Sequence, residues 1–285
     1  MWTAVLIRMS EQTILVTGGT GMTGSRVTQL LRARGAHPRV ASRTSERRFD
    51  WTDPGTWDAA LAGVTAVYLA YAPDLAVPGA DATVAALTDR AARAGARRVV
   101  LLSGRGEPGA LRAEQAVRAA AATAGIDCTV VRASWFVQNF TEGQFVESLR
   151  AGELALPVDD VPEPFTDADD IAEVAVAALL DDGHAGLTHE LTGPRALTFA
   201  AAVAEIAGVT GAPLRFRSVP VAEFTVDLAA QGVPGETVEL LTHLFTEVLD
   251  GRNATPTDGV QRALGRPATE FAVSVRRSTA AGVPT

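Results

Sequence analysis

The chain has 285 residues, of which 47% are apolar and 20% charged, and it carries a net charge of −8 and one cysteine. This apolar fraction excludes a disordered chain, and one cysteine excludes a disulfide scaffold and fits a reducing cytoplasm. The acidic balance argues against nucleic acid as a direct partner. All 25 residues counted as lysine or arginine are arginine, which excludes lysine Schiff bases, P-loop lysines and Tyr-x-x-x-Lys pairs.

The N-terminal segment predicts neither a signal peptide nor a membrane span. Its apolar run, Trp2–Ile7, is shorter than the core of either. Met9 could be the natural start as readily as Met1, so residues 1–11 are treated as an optional extension. We therefore expect a cytoplasmic protein with no membrane partner.

The first half of the chain alternates apolar strands with alanine-rich helices. Strands are predicted at 13–17, 39–42, 66–70, 98–102 and 128–131, and helices at 24–34, 56–61, 80–94 and 111–123. Short apolar strands separated by helices of about 10–15 residues are typical of βαβ units. The fold class predicted is α/β, a doubly wound parallel sheet (Rossmann fold) with helices on both faces.

The second half carries weaker patterns. Strands are predicted at 152–156 and 189–191, an amphipathic helix at 167–180, a helix capped by Thr198, broken helices over 220–251, and a polar tail beyond them. We therefore predict a Rossmann domain at 12–140 and a smaller, interleaved C-terminal lobe at 141–285. The helix at 167–180 is expected to return to the Rossmann sheet.

A glycine-rich loop directly follows the first predicted strand and opens a helix. It reads Gly18-Gly19-Thr20-Gly21-Met22-Thr23-Gly24. In such a G-x-x-G-x-x-G loop the first glycine permits a tight turn, the second lets the backbone approach a pyrophosphate, and the third lets the helix pack on the strand. The helix N-terminus then supplies amides to the anion. This context favours a dinucleotide site over a glycine-rich turn without a ligand.

The residues at the end of the second strand indicate which dinucleotide the site binds. An NAD site places a carboxylate about 20 residues beyond the loop, whereas this chain has Ser42 and Arg43 there. A guanidinium can donate paired hydrogen bonds to a 2′-phosphate and stack on adenine. NADP(H) is therefore preferred to NAD, the alternative being a solvated basic turn.

The chain resembles the NmrA-like branch of the atypical short-chain dehydrogenases over nearly its whole length. The motifs that carry the resemblance include TGGTGMTG at 17–24, ASR at 41–43, VRASWFVQNF at 131–140 and PFTDADDIAEVA at 164–175. The family includes NADPH-dependent quinone reductases, polyketide ketoreductases, iminium-reducing dehydrogenases and non-catalytic NADP-sensing regulators. The resemblance therefore implies an NADPH-binding Rossmann domain and a substrate-binding lobe.

The resemblance also implies roles for individual residues, from pyrophosphate to substrate. The cofactor-binding residues it implies are Gly18, Thr20, Gly21, Met22, Thr23, Gly24, Ser42, Arg43, Asp50, Trp51, Ala70, Tyr71, Ser103 and Ser134. The substrate-binding residues it implies are Tyr71, Trp135, Phe136, Asn139, Phe140 and Phe165. For the aromatic members of the second set, ordinary core packing is the alternative.

The catalytic acid of ordinary short-chain dehydrogenases is missing. Neither Tyr68 nor Tyr71 is followed by a lysine, and Arg112 and Glu114 on the relevant helix are interpreted as a solvated face. Ser103 and Asn139 are the candidates left to orient a carbonyl or relay a proton. General acid catalysis contributes roughly 10²–10⁴-fold, so we expect an acceptor that tolerates its loss, such as a quinone, a ketone beside a phenol, or an iminium ion.

The sequence thus predicts an NADPH-dependent reductase that transfers hydride to a ketone or quinone carbonyl of a flat cyclic or polyketide-like molecule. Its setting would be secondary metabolism, such as antibiotic biosynthesis. The alternatives are a non-catalytic NADP-sensing regulator and an iminium reductase. The expected partner is a small-molecule substrate, and both a monomer and a homodimer are left open.

Three further features are predicted to have no chemical role. The four histidines are scattered in sequence at 37, 184, 189 and 243, and they show no metal-binding spacing. The acidic run from Asp159 to Asp170 is interpreted as a solvated loop and helix cap. Cys128 is expected to be a buried apolar filler.

Overall fold

The computed structural model describes residues 12–280. The optional extension at 1–11, with the choice between two start sites, lies outside the described residues. The chain divides into two compact units, and each draws on several segments. The first unit contains the chain up to Ala133, Ala168–Leu191 and Gly259–Arg266, and the second contains Ser134–Asp167, Thr192–Asp258 and the chain from Pro267. The predicted domain boundaries of 12–140 and 141–285 stay a prediction.

Of the eight strands in the described residues, the first seven follow the predicted apolar runs closely, and the last was not predicted. In chain order they are β1 (Thr13–Thr17), β2 (His37–Ala41), β3 (Ala66–Leu69), β4 (Arg98–Gly104), β5 (Asp127–Ala133), β6 (Glu153–Leu156), β7 (Thr188–Leu191) and β8 (Arg215–Ser218). Six of them form the sheet of the first unit, in the order β2-β1-β3-β4-β5-β7, and all its neighbours pair in parallel. This confirms the predicted doubly wound parallel sheet.

The helices alternate with these strands along the first half of the chain. They are α1 (Met22–Ala33), α2 (Trp57–Leu61), α3 (Ala80–Arg93), α4 (Pro108–Ala124), α5 (Gln138–Thr141), α6 (Val146–Arg150), α7 (Ala168–Leu180), α8 (Phe199–Thr210), α9 (Val221–Ala230), α10 (Gly235–His243), α11 (Gly259–Leu264) and α12 (Phe271–Ala280). Within residues 12–280, every helix is too short or too polar to span a bilayer.

The order of the strands places a switch point beside β1. The chain passes from β1 to β2 on one side and then crosses back to β3 on the other. In open parallel sheets, ligands bind at the carboxyl ends of the strands where the winding reverses in this way. The loops that follow β1, β3 and β4 therefore meet at the edge where a ligand is expected.

The predicted polar tail beyond residue 251 is wrong. Two further helices lie there, α11 in the first unit and α12 in the second. In α12, Phe271 and Val275 stand one turn apart and are almost fully buried. Ser274 is also buried, where it accepts a hydrogen bond from Nε2 of Gln138 at 3.1 Å. Polar residues such as Ser274 favoured the prediction of a polar tail, although the i, i+4 apolar pair of this segment indicates a helix.

The acidic run is the predicted solvated loop only at its start, where Asp159 and Asp160 are exposed. Glu163, Asp167 and Asp170 are each at most 2% exposed. In the first unit, Asp170 accepts from Nη2 of Arg266 at 2.8 Å. The carboxylate is buried because a guanidinium from another part of the chain neutralises it, and sequence spacing does not show such a partner.

Candidate dinucleotide site and its surroundings

The glycine loop forms a tight turn between β1 and α1. Gly18 has a φ of 61°, a left-handed conformation that favours glycine. The turn is closed by the amide of Gly21, which donates to the Gly18 carbonyl at 2.8 Å. Gly18, Thr20 and Gly21 are exposed, so the backbone of the loop is open to a ligand.

Gly24 lets the loop lie directly on its own helix. A Cβ atom at this position would lie 2.7 Å from the carbonyl carbon of Gly18 and 2.8 Å from Cα of Gly19, and closer still to the Gly18 oxygen. No side chain fits there unless the loop moves. A close approach is therefore present at Gly24, but the helix packs here against the glycine loop and not, as the sequence predicted, against the strand.

The start of α1 has the features of an anion site. Its N-cap is Gly21, which supplies no side-chain capping bond, and the first turn contains no acidic residue. The first amides of a helix have no partner within the helix, and the helix dipole adds positive potential at this end. The glycine cradle and these amides together fit the pyrophosphate of a dinucleotide.

Tyr68 and Thr17 tie the loop to β3. The amide of Ala70 donates to Oγ1 of Thr17 at 2.8 Å, which joins the ends of β1 and β3. The Tyr68 hydroxyl donates to Oγ1 of Thr23 at 3.0 Å, and both side chains are buried. Burial raises the pKa of Tyr68, so this phenol is a structural group and not a proton donor at neutral pH.

Arg43 lies just beyond the end of β2 and is exposed. Within residues 12–280 its guanidinium makes no ion pair or side-chain hydrogen bond. Arg48 in the same turn is instead paired with Asp50 at 3.3 Å. Arg43 is therefore a cation of this turn that is available to a phosphate, and Arg47, which is also exposed, donates to the carbonyl of Ala59 at 3.4 Å. Ser42 lies at its base and is half-buried.

An aromatic pair follows the same edge of the sheet. The rings of Trp51 and Tyr71 lie 4.8 Å apart, and both are partly buried against the core of the first unit. Asp50 accepts from the amide of Thr52 at 3.0 Å and from its hydroxyl at 2.8 Å. These hydrogen bonds lower the pKa of Asp50, which is therefore ionised at neutral pH.

The sequence-based prediction that Glu114 lies on a solvated helix face is wrong. The predicted solvated face holds for Arg112, which is exposed, but Glu114 is only 4% exposed. Its carboxylate accepts from Oγ of Ser103 at 2.6 Å and from Arg132 through Nε at 2.8 Å and Nη2 at 2.6 Å. The hydrogen bond with Glu114 raises the pKa of Arg132.

This network limits what Ser103 can do. Because its proton is donated to a carboxylate, the hydroxyl can accept a hydrogen bond from a ligand but has no proton left to offer. Sequence reasoning missed Glu114 and Arg132. The signal was present in α4, where Ala110, Ala113, Glu114 and Val117 follow the i, i+3, i+4, i+7 spacing of a buried face.

In the second unit, Ser134 is buried, and its hydroxyl already has hydrogen-bond partners within the protein. Its hydroxyl donates to the carbonyl of Pro164 at 2.5 Å and lies 2.6 Å from Oγ1 of Thr166. Asn139 differs, because it is half-buried and its carboxamide makes no side-chain hydrogen bond among the described residues. Asn139 therefore keeps both a donor and an acceptor for a ligand.

The second unit is built around an aromatic cluster. Its rings belong to Trp135, Phe140, Phe145, Phe165, Phe199, Phe216, Phe224, Phe245 and Phe271. Phe140 and Phe165 are at most 2% exposed and their rings lie 5.2 Å apart. This packing favours the core alternative for these two residues. Trp135 and Phe136 are half-buried and keep exposed surface.

Two of the scattered histidines meet in space. Nδ1 of His184 lies 3.0 Å from Nε2 of His189, at the start of β7. Burial, with the neighbouring His184, lowers the pKa of His189 to about 4. The described residues contain no group of three or more potential metal ligands. Cys128 is buried as predicted, and burial raises the pKa of its thiol.

Several curated proteins with similar sequences are named as oxidoreductases. The chain is 33% identical to the uncharacterized oxidoreductase YesF of Bacillus subtilis over 93% of this chain and 96% of that protein. It is also 33% identical to a (4-alkanoyl-5-oxo-2,5-dihydrofuran-3-yl)methyl phosphate reductase of Streptomyces griseus, over 90% of this chain and 95% of the relative.

Among solved structures, the Citrobacter sp. triphenylmethane reductase complexed with NADP(H) has the same fold. It superposes with a TM-score of 0.74 at 19% identity and covers 93% of this chain and 99% of its own. The model of the NAD dependent epimerase/dehydratase family matches residues 14–110, and that of the NmrA-like family matches residues 110–275. The chain belongs to the NmrA-like family.

Proposed function

We propose that this protein is an NADPH-dependent reductase that transfers hydride to a carbonyl of a flat, conjugated cyclic molecule. The observation that carries the proposal is the pairing of an uncapped, glycine-cradled helix N-terminus with an exposed, unpaired Arg43 after the next strand. The first fits a pyrophosphate and the second fits a 2′-phosphate. The NADP(H) in the Citrobacter relative supports the same cofactor.

The cofactor residues proposed here keep the roles that the sequence suggested. Thr20, Met22 and Thr23 would offer backbone amides to the pyrophosphate, since the Thr23 hydroxyl already bonds Tyr68. Asp50 and Trp51 would meet the adenosine, and Ala70 and Tyr71 the nicotinamide side. Bound NADPH supplies the hydride.

The acceptor is proposed to be flat and conjugated. The names of two relatives describe a reductase of an oxo-dihydrofuranyl-methyl phosphate and a reductase of triphenylmethane compounds, both of which contain unsaturated or aromatic rings. Trp135 and Phe136, which are half-buried, and the free carboxamide of Asn139 are the substrate contacts we propose. The Streptomyces relative supports a role in secondary metabolism. We place the protein in the cytoplasm.

Equilibrium binding and turnover test this proposal. NADPH titrated into the protein should quench tryptophan fluorescence with a Kd at least about tenfold lower than that of NADH. Loss of NADPH absorbance should then follow with quinones or hydroxyanthraquinone-like ketones. A protein that binds neither dinucleotide would refute the proposal.

A non-catalytic NADP sensor is the second candidate, and one observation favours it. The Ser103 hydroxyl donates its proton to the carboxylate of Glu114, and Tyr68 is fully buried. Neither hydroxyl is therefore a free acid. Tight NADPH binding without oxidation by any quinone, ketone or imine would select this candidate, whereas turnover of imines alone would select an iminium reductase.

A further inference from the structure

Asp74 and Glu107 form a carboxyl pair at the edge of the sheet where the ligand is expected. Asp74 lies in the loop that follows β3, and Glu107 lies between β4 and α4, where it is the N-cap of the helix. β3 and β4 are adjacent in the sheet, and β1 with its glycine loop lies on the other side of β3. The pair therefore follows the two strands next to the proposed cofactor loop.

Two glycines make room for the pair. A Cβ atom on Gly104 would collide with Oε1 of Glu107, so the carboxyl occupies the space above this glycine. A Cβ atom on Gly109 would lie 2.6 Å from Cα of Ala76, so the loop that carries Asp74 packs on the backbone of α4. The amide of Ala76 donates to Oδ1 of Asp74 at 2.7 Å, which fixes the Asp74 carboxyl in place.

The surroundings of Glu107 favour its neutral form. The residue is 8% exposed, and its Oε2 atom is buried with no hydrogen-bond partner. Among the described residues no arginine pairs with it, and the charged group that acts on it is Asp74. An ionised carboxylate with an unsatisfied buried oxygen is costly, whereas a protonated carboxyl can donate to Asp74. Burial and Asp74 raise the pKa of Glu107 to about 8.

We propose that Asp74 and Glu107 share one proton and together serve as the proton donor of the reductase. Asp74 is half-buried and three residues from Tyr71, so we assign the substrate contact to Asp74 and not to the buried Glu107. Glu107 is a positioning residue that keeps the shared proton on the pair at neutral pH, as adjacent carboxyls do when both cannot ionise. This inference rests on the proposed function and names the acid that Ser103 and Tyr68 cannot supply.

The step balances as follows. Hydride from NADPH forms a C–H bond at the carbonyl carbon, and the carbonyl π electrons move to oxygen. The shared O–H bond of the pair would break and its proton would pass to that oxygen, which gives an alcohol and NADP⁺. The pair, now doubly ionised, regains one proton from water. An iminium acceptor needs no proton, because hydride converts it to a neutral amine.

The variants Asp74→Asn and Glu107→Gln test the proposal, with Asp58→Asn on the exposed face of α2 as the matched control. Each keeps side-chain size and removes one carboxyl. We expect single-turnover reduction of a ketone, whose oxygen needs the proton, to fall about 10²-fold in Asp74→Asn, and that of a cyclic iminium ion to stay within about threefold. For Glu107→Gln we expect the pH limit of kcat to shift to lower pH. Should one variant fail to fold, the other carries the test.

Two measurements do not depend on turnover. Infrared difference spectra of the protein alone should show a carboxylic acid C=O band that disappears as pH rises through about 8 and is absent in Glu107→Gln. NADPH titrations should give the same Kd for all variants, since the pair is not proposed to bind the cofactor. Absence of the band, or equal losses with carbonyl and iminium acceptors, would overturn the inference. A wild-type protein that binds NADPH but reduces nothing would instead refute the proposed function, and the catalytic role with it.

Discussion

Replacing Gly24 with alanine should damage the cofactor loop more than the helix that contains this residue. The added Cβ would lie 2.7 Å from the Gly18 carbonyl carbon and 2.8 Å from Cα of Gly19. Carbon atoms attract each other at about 3.5–4.0 Å, so the loop must retreat by about 1 Å. Both neighbours are backbone atoms, which means that no side-chain rotation relieves the contact.

The expected effect on binding follows from this displacement. A retreat of about 1 Å stretches a hydrogen bond of about 2.9 Å beyond its useful range. A hydrogen bond to a charged group contributes about 1.5–3 kcal/mol, so the Kd for NADPH should rise about 10- to 100-fold. Overpacking costs about 1–3 kcal/mol and alanine regains about 1 kcal/mol of helix propensity, so the free energy of unfolding should fall by at most about 2 kcal/mol.

Gly208→Ala is the matched control. This glycine also lies inside a helix, α8, but nothing lies within 4 Å of an added Cβ. Alanine there should stabilise the protein by about 0.5–1 kcal/mol and leave the Kd unchanged. Urea unfolding and fluorescence titration with NADPH measure both effects. If Gly24→Ala bound NADPH as tightly as the wild-type protein while the control behaved as expected, the loop would not be the pyrophosphate site.

Three other changes test separate parts of the molecule. Arg43→Gln should raise the Kd for NADPH about 10- to 100-fold and leave that for NADH unchanged, because only NADPH has a 2′-phosphate; equal losses in the two titrations would contradict this role. Glu114→Gln should lower the free energy of unfolding by about 2–3 kcal/mol. Loss of a fully buried ion pair would cost more, but Arg132 keeps Glu190 as a partner and is 21% exposed. An unchanged urea midpoint would argue against the network. The pKa of His189 is lowered from 6.5 to about 4, so its contribution to stability is present above pH 6.5 and is lost as pH falls toward about 4. Stability should therefore decline over this interval, and His189→Gln should flatten the decline; parallel curves for the two proteins would count against the shifted pKa.

The strands, helices and glycine loop of the Rossmann half could be predicted because each depends on a short, continuous segment of sequence. Strands such as Thr13–Thr17 are continuous apolar runs, and a sheet buried on both faces requires such runs. The glycine loop is equally local, since the turn at Gly18 and the close approach at Gly24 depend on residues within one short segment. Arg43 was predicted as the phosphate-binding residue from its distance along the chain from that loop. None of these features needs knowledge of a remote partner.

The burial of the charged residues could not be predicted from the sequence, because their ion-pair partners lie far away along the chain. Glu114 was interpreted as solvated because its position on α4 shows its charge but not Arg132, which lies 18 residues further on and neutralises it. Asp170 was placed on the surface for the same reason. Asp74 and Glu107 become a pair only because β3 and β4 are neighbours and two glycines leave room between their loops. Local patterns determine where strands, turns and caps form. The protonation of a buried carboxyl depends instead on which groups the fold brings against it.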